Sequence, residues 1–230
     1  NAVLTLQTSP GSLWVGTSGG VAQLLLPGSV QTFSTREGLP GIVESIVRHE
    51  GSIYAATSQG VFRRSCGDRP FEPVSSIRTQ SFALVSAGSL LAASADGIHE
   101  VRATAARLLR PGLARAFAKS KDADRLWVAT QTGPAALSRA GGVWSAEPLK
   151  IVGADAETAD LAGVEATSVG EDVDGRVWVA LVTGRVFSGL PVRSGEALEL
   201  QAVRVFGEAE GLSGGFAEVI GLKDGVRIGT

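Results

Sequence analysis

The chain has one cysteine, Cys66, in 230 residues, so no intrachain disulfide can form. That excludes the disulfide-built secreted scaffolds and fits either the cytosol or a bacterial periplasm. Histidine is nearly as scarce. His49 and His99 stand far apart, no His-Glu-x-x-His pattern occurs and no second thiol exists. No metal site and no cofactor are therefore expected. Asn1 is the only asparagine and precedes Ala-Val, which removes any N-glycosylation acceptor. Long apolar runs are missing too: Val21–Leu26 is interrupted by Gln23 and closed by Pro27. Nothing approaches the ~20 apolar residues of a membrane helix, and no membrane contact is expected of this portion. A basic excess is also absent, with 21 Lys and Arg against 23 Asp and Glu for a net charge of -2. That argues against a surface for phosphate backbones, so no nucleic acid partner is expected. Lysine itself is rare, 4 against 17 arginines. Genome base composition explains this bias more simply than guanidinium recognition of carboxylates does.

What the chain has in abundance is one repeated phrase. Gly11-Ser-Leu-Trp-Val-Gly-Thr-Ser-Gly-Gly-Val21 returns as Gly51-Ser-Ile-Tyr-Ala-Ala-Thr-Ser-Gln-Gly-Val61 and as Gly88-Ser-Leu-Leu-Ala-Ala-Ser-Ala-Asp-Gly-Ile98. Asp124–Gly133, Gly175–Gly184 and Asp224–Thr230 are further copies, the last one shorter. The tryptophan position falls at Trp14, Tyr54, Leu91, Trp127, Trp178 and Arg227, in steps of 40, 37, 36, 51 and 49 residues. A period of roughly 40–50 residues means stacked or radial repeats.

One repeat reads as four short strands. Ala2–Gln7 is a β-type run, Ser9-Pro10-Gly11-Ser12 turns, and Leu13–Thr17 is a second strand with Trp14 and Gly16 on one face. Ser18-Gly19-Gly20 is a hairpin turn, Val21–Leu26 a third strand, and Val30–Ser34 a fourth. Four antiparallel strands in about 40 residues, repeated, make β-propeller blades. Each sheet has two apolar faces, which only neighbouring blades can cover. The expected class is all-β, a single propeller portion over 1–230 with blades at 2–34, 42–76, 80–109, 115–150, 165–206 and an incomplete 216–230. That is about five and a half blades of a larger propeller. Residues 154–162 allow a turn or two of helix, or an ordered loop.

Two further phrases match each other: Phe33-Ser-Thr-Arg-Glu-Gly-Leu-Pro40 and Phe206-Gly-Glu-Ala-Glu-Gly-Leu-Ser213. In both, the next strand-two phrase follows the leucine by 14 residues, at Ile53 and Val226. The combined pattern, Phe-x3-Glu-Gly-Leu and then Asp-Gly-x-Leu-Trp-Val-Gly-Thr-x-x-Gly-Val, resembles the two-component regulator propeller repeat. Asp172-Val-Asp-Gly-Arg-Val-Trp-Val179 is close to its core phrase. Arg227, in the tryptophan position of the last copy, departs from it. The resemblance implies a periplasmic, non-catalytic, ligand-sensing propeller of a bacterial receptor that works as a homodimer. It also implies a histidine kinase or diguanylate cyclase output beyond this chain.

Catalytic patterns fail one by one. No Gly-x-Ser-x-Gly elbow and no Gly-x-Gly-x-x-Gly fingerprint is present. Cys66 follows Arg63-Arg64, which would favour a thiolate, but a loop thiol without function is the simpler reading. Asp172-Val-Asp174-Gly175 lacks further calcium ligands and reads better as an Asp-Gly hairpin turn. The sialidase Asp-box spacing fails in both copies tested. What remains is a polar loop face. Ser18, Gln59, Asp96, Gln131 and Thr183 come from the turns between second and third strands. Arg36, Glu37, Arg78, Gln80, Arg110 and Glu210 come from the connections between blades. Of these, Arg36, Glu37, Gln59, Arg78, Gln80, Asp96, Arg110, Gln131 and Glu210 form the candidate mouth for a small ligand, a saccharide or other anionic or polar molecule. Two alternatives stay open: a protein–protein interaction propeller, and a propeller lyase or glycosidase, for which Glu37 and Glu210 are the paired carboxylates.

Overall fold

The computed structural model describes all residues except 1, 2, 27, 29, 66–68, 75, 76, 78, 104, 148, 154–157, 159, 162, 223, 224 and 230. Two compact units make up the chain, Asn1–Leu113 and Ala114–Thr230.

The first unit holds three four-stranded antiparallel meanders. They are β1 (Val3–Ser9), β2 (Ser12–Thr17), β3 (Gly20–Leu25) and β4 (Val30–Phe33); β5 (Val43–His49), β6 (Ser52–Thr57), β7 (Gly60–Arg64) and β8 (Glu72–Pro73); and β9 (Ser81–Ala87), β10 (Ser89–Ser94), β11 (Gly97–Arg102) and β12 (Ala105–Pro111). The second unit opens with a fourth such sheet of β13 (Ala114–Lys119), β14 (Arg125–Thr130), β15 (Gly133–Ala140) and β16 (Val143–Glu147). A fifth sheet follows, of β17 (Leu149–Ile151), β18 (Ala166–Glu171), β19 (Val177–Leu181), β20 (Val186–Ser194) and β21 (Ala197–Phe206). A two-stranded sheet of β22 (Glu218–Leu222) and β23 (Gly225–Gly229) completes the unit. These are propeller blades.

The fifth sheet departs from the four-stranded antiparallel expectation. Leu149 and Ile151 pair in parallel with Leu198 and Leu200 of β21, so residues 149–150 leave the fourth blade for the fifth. The hairpin of β20 and β21 is long and would otherwise end in an open strand edge. A short apolar strand covers that edge. Of residues 154–162, where the sequence allows a helical turn, only Thr158, Asp160 and Leu161 are among the described residues.

Within each unit apolar clusters form between neighbouring sheets. Trp14, Val21 and Phe33 of the first sheet pack with Leu39, Val43, Ile46, Ile53 and Phe62 of the second blade. Tyr54, Val61 and Val74 pack with Leu90, Ala92 and Val101 of the third sheet. In the second unit Trp127, Ala129 and Ala136 meet Val169, Val179 and Phe187. The two repeated phrases meet physically at an aromatic pair. Trp14 stacks on Phe33 with centroids 5.5 Å apart, and Trp178 stacks on Phe206 at 5.3 Å. The small residue two places after the tryptophan is forced by close approach. A Cβ on Gly16 would lie 2.4 Å from the Thr5 methyl and 3.0 Å from Val43. Arg227 is exposed on β23, with no aromatic in its place.

A feature without sequence signature repeats as well. In five sheets the first strand skips one residue against the second: Leu4, Glu44, Phe82, Arg115 and Thr167. Such bulges add local right-handed twist and re-aim a side chain. They recur at the same blade position, one residue after the strand begins.

Candidate functional site

The turns between second and third strands share one construction. The hydroxyl of Thr17, Thr57, Ser94 and Thr130 donates to the carbonyl of Gly20, Gly60, Gly97 and Gly133, at 3.2, 3.2, 2.8 and 2.7 Å. The same oxygen accepts the backbone N–H of Gly19, Gln59 and Thr132 in three of them. One hydroxyl thus satisfies two backbone groups and fixes the turn. The fifth blade has Leu181 at this position, and its turn closes instead through Gly184 N–H to the Leu181 carbonyl at 3.0 Å. Ser18, Gln59, Gln131 and Thr183 are exposed on these turns.

The third sheet gathers the most. Asp96 Oδ1 accepts from Thr79 Oγ1 at 2.7 Å, shares the Ser94 hydroxyl proton at 2.7 Å with the Gly97 carbonyl, and lies 3.1 Å from His99 Nε2. Desolvation is the largest single influence on this carboxyl and raises its pKa. The hydrogen bonds from Ser94, Thr79 and His99 together outweigh it and bring the value to about 2. Backbone bonds from Ala95 N–H to the Gln80 carbonyl and from Gly112 N–H to the Asp96 carbonyl hold the flanking segments here. The backbone therefore brings Gln80 and Asp96 to one corner of the third sheet, where Arg110 pairs with Ile98 on β12.

Arg36 and Glu37 sit in a single 3-10 turn, Thr35–Glu37, between the first two sheets. Glu37 Oε2 accepts the Ser34 backbone N–H at 2.8 Å and the Ser34 hydroxyl at 2.9 Å. Those two bonds, the backbone one foremost, hold its carboxyl below the usual range. Glu210 repeats the arrangement in the second unit, its Oε2 accepting Gly207 N–H at 2.8 Å in the turn Glu208–Glu210. These carboxylates are capping groups of their turns. Asp172 is used in the same way. Its Oδ1 accepts from the N–H groups of Asp174 and Arg176, and its Oδ2 from the Trp178 indole at 2.7 Å. The Asp-Gly segment is thus a hairpin turn tied to the blade's tryptophan. Gln59 lies beside the Gly41 backbone, and Gln131 is exposed on the turn of β14 and β15. Arg78 and Cys66 lie outside the described residues. No group of three His, Cys, Asp or Glu side chains is placed to hold a metal among the described residues.

Arg36 and Glu37 border an open groove of about 390 Å³ whose other walls come from segments distant in sequence. Arg64 and Arg69 complete it, with Gln31, Phe33 and Pro70. The Arg63-Arg64 pair was visible in the sequence only as a neighbour of Cys66. Nothing there signalled that Arg64 lies over Phe33 of the preceding sheet, 4.5 Å from its centroid.

No family model matches the chain, and no curated protein matches it in sequence. Solved structures do match in fold. A domain named as the extracellular part of the hybrid two-component system BT3049 from B. thetaiotaomicron superposes with TM-score 0.62 at 15% identity, over 100% of this chain and 38% of that one. The chain has the fold of these propellers. A domain named as the extracellular part of the one-component system BT4673 from B. thetaiotaomicron gives 0.63 at 14% identity, over 100% and 33%. Virginiamycin B lyase from Staphylococcus aureus gives 0.62 at 8% identity, over 96% and 74%. The chain spans about a third of the length of the two extracellular domains, between 33% and 38%.

Proposed function

We propose that this chain is part of an extracytoplasmic, periplasmic sensor propeller of a bacterial two-component or cyclic-dinucleotide signalling receptor. The observation that carries this reading is the superposition of the whole chain on the extracellular domains of BT3049 and BT4673. The two Phe-x3-Glu-Gly-Leu phrases, each stacked on its blade's tryptophan, support it. The portion is non-catalytic in this reading. In support, Glu37 and Glu210 are committed to capping their turns, and Asp96 is held as an acceptor by three donors. A general acid needs a raised pKa, and Asp96 and Glu37 are shifted the other way. A polar ligand on the loop face biases the receptor, a homodimer, toward one arrangement through differential affinity for its states.

The lyase likeness keeps a second reading in view, an enzyme centred on His99 and Asp96. One experiment separates the two. The full-length protein is reconstituted and challenged with candidate polar ligands, while inter-protomer crosslinking, output and chemical conversion of the ligand are followed. Ligand-dependent crosslinking and output with the ligand recovered intact supports sensing. Conversion of the ligand that is lost in His99→Ala, without change in output, overturns it in favour of the enzyme.

A further inference from the structure

Two open grooves in the first unit meet at one side chain. Arg64, at the end of β7, lies with its guanidinium carbon 4.5 Å from the Phe33 ring centroid and 6.0 Å from that of Trp14. Its Nε donates to the Arg69 carbonyl at 3.0 Å, which fixes the plane of the fork. On one side is the groove of about 390 Å³ bordered by Arg36, Arg64 and Arg69. On the other is a groove of about 280 Å³ bordered by Arg48, Arg64, Ser12 and Gln23. Four guanidinium groups therefore border the pair. Glu37 is the one acidic residue bordering either among the described residues, and its Oε2 already accepts two bonds from Ser34.

This is a local basic excess in a chain of net charge -2. Like charges gathered with no carboxylate ion-paired to them among the described residues repel one another, and an anion between them relieves that repulsion. Planar arginine forks match carboxylate oxygens two at a time, and a fork held by stacking and by its own Nε bond loses little freedom on binding. Amide and hydroxyl groups of Gln23, Gln31 and Ser12 supply the polar walls that an oxygen-rich molecule needs.

We propose that the paired grooves between the first and second sheets bind a small organic polyanion carrying two or more carboxylate groups, with Arg64 as the shared anchor. Arg36 and Arg69 contact one end and Arg48 the other. The site deepens the ligand-sensing reading by naming a ligand class, yet the binding is read on the chain alone. Its failure is therefore distinct from a failure of signalling.

The test is calorimetric titration of the chain with citrate, inorganic phosphate and glucose, at low and at high sodium chloride. Citrate is expected to saturate one site, to weaken with salt as exposed ion pairs do, and to bind more tightly than phosphate, with no signal from glucose. Arg36→Gln and Arg48→Gln each remove an exposed guanidinium outside the core. Each should weaken citrate by about tenfold, the size of one lost charge-assisted contact. Arg64→Lys keeps the charge but loses the fork, and should weaken it at least as much. Arg193→Gln in the second unit should change nothing. Citrate binding unaltered in Arg36→Gln, Arg48→Gln and Arg64→Lys would overturn the site, as would failure of citrate to saturate. Phosphate binding as tightly as citrate would overturn the organic class.

Discussion

The two Glu-Gly-Leu turns offer a matched experiment on what the repeat phrase demands. Gly38 and Gly211 end their 3-10 turns in the left-handed region, at φ 82° and 94°. Alanine at either position meets the backbone cost of that region, on the order of 1–2 kcal/mol, partly offset by a less flexible unfolded chain. Gly211 has nothing within 4 Å of an added Cβ, so Gly211→Ala should lose only about 1 kcal/mol. At Gly38 the added Cβ would lie 2.2 Å from the Phe71 carbonyl oxygen. Phe71 cannot step aside freely. Its N–H donates to the Glu37 carbonyl at 2.8 Å, and its ring packs edge-on against Phe33 at 5.7 Å. Overpacking costs about 1–3 kcal/mol and a broken backbone bond about 1 kcal/mol more, so Gly38→Ala should lose roughly 3–5 kcal/mol. Urea denaturation gives the totals, and hydrogen exchange locates them. Gly38→Ala should expose amides of β5 and β6, and Gly211→Ala those of β19 and β20. Equal losses within about 0.5 kcal/mol would refute the claim that the first turn is pressed against its blade.

Other outcomes follow from the same structure. Asp96 titrates near 2 when folded against a reference of 3.8, so its contribution is present above pH 3.8 and disappears as pH falls toward 2. Its side chain is 44% exposed, so screening limits that contribution to about 1 kcal/mol. Asp96→Asn should flatten the acid limb of the stability profile by this amount in the difference curve against the parent, and parallel curves would exclude it. Thr57→Val removes the hydroxyl that donates to the Gly60 carbonyl and accepts from Gln59 N–H, at a cost of about 1 kcal/mol in urea midpoint. The expectation fails if the midpoint is unchanged. Trp178→Phe keeps the stack on Phe206 but leaves Asp172 Oδ2 without its indole donor, and should cost about 1–3 kcal/mol by thermal melting. A larger loss than from Trp178→His would contradict the importance of the stack.

Much of the fold was legible because one packing problem is solved repeatedly. Trp14 and Trp178 recur where a strand needs a large side chain against its neighbour, and Phe33 and Phe206 recur because they stack on those tryptophans. Gly16 is small because Thr5 and Val43 leave no room. The hydroxyl at Thr17, Thr57, Ser94 and Thr130 recurs because it closes the turn. What depends on register or on pairing across distance left no such trace. The bulges at Leu4, Glu44, Phe82, Arg115 and Thr167 occupy residues of unrelated chemistry, since the bulge is imposed by backbone twist and not by a side chain. The parallel strand Leu149–Ile151 looked like the tail of the fourth blade because its partner lies about 50 residues ahead. Among the candidate site residues, turn position was readable from the repeat. The sequence could not tell a carboxylate that faces a ligand from one that caps its own turn. In the structure Glu37 and Glu210 each cap their own turn.

That distinction carries the functional argument. A shared architecture at 8–15% identity leaves the chemistry to side chains that the architecture does not consume. Here the recurring acids serve the blades. Glu37, Glu210 and Asp172 accept from backbone N–H groups that the turns would otherwise leave without partners. The arginines of the first groove follow no repeat. Arg36 occupies a place where the second copy of the phrase has Ala209, and Arg64 follows Phe62 where the first blade has only Gln23 and Leu24. No blade needs a guanidinium at these points for closure, and four border one pair of grooves. A cationic cleft whose one bordering carboxylate among the described residues already accepts two bonds from Ser34 is left with guanidinium donors to offer, and it is on these that the proposed anion binding rests.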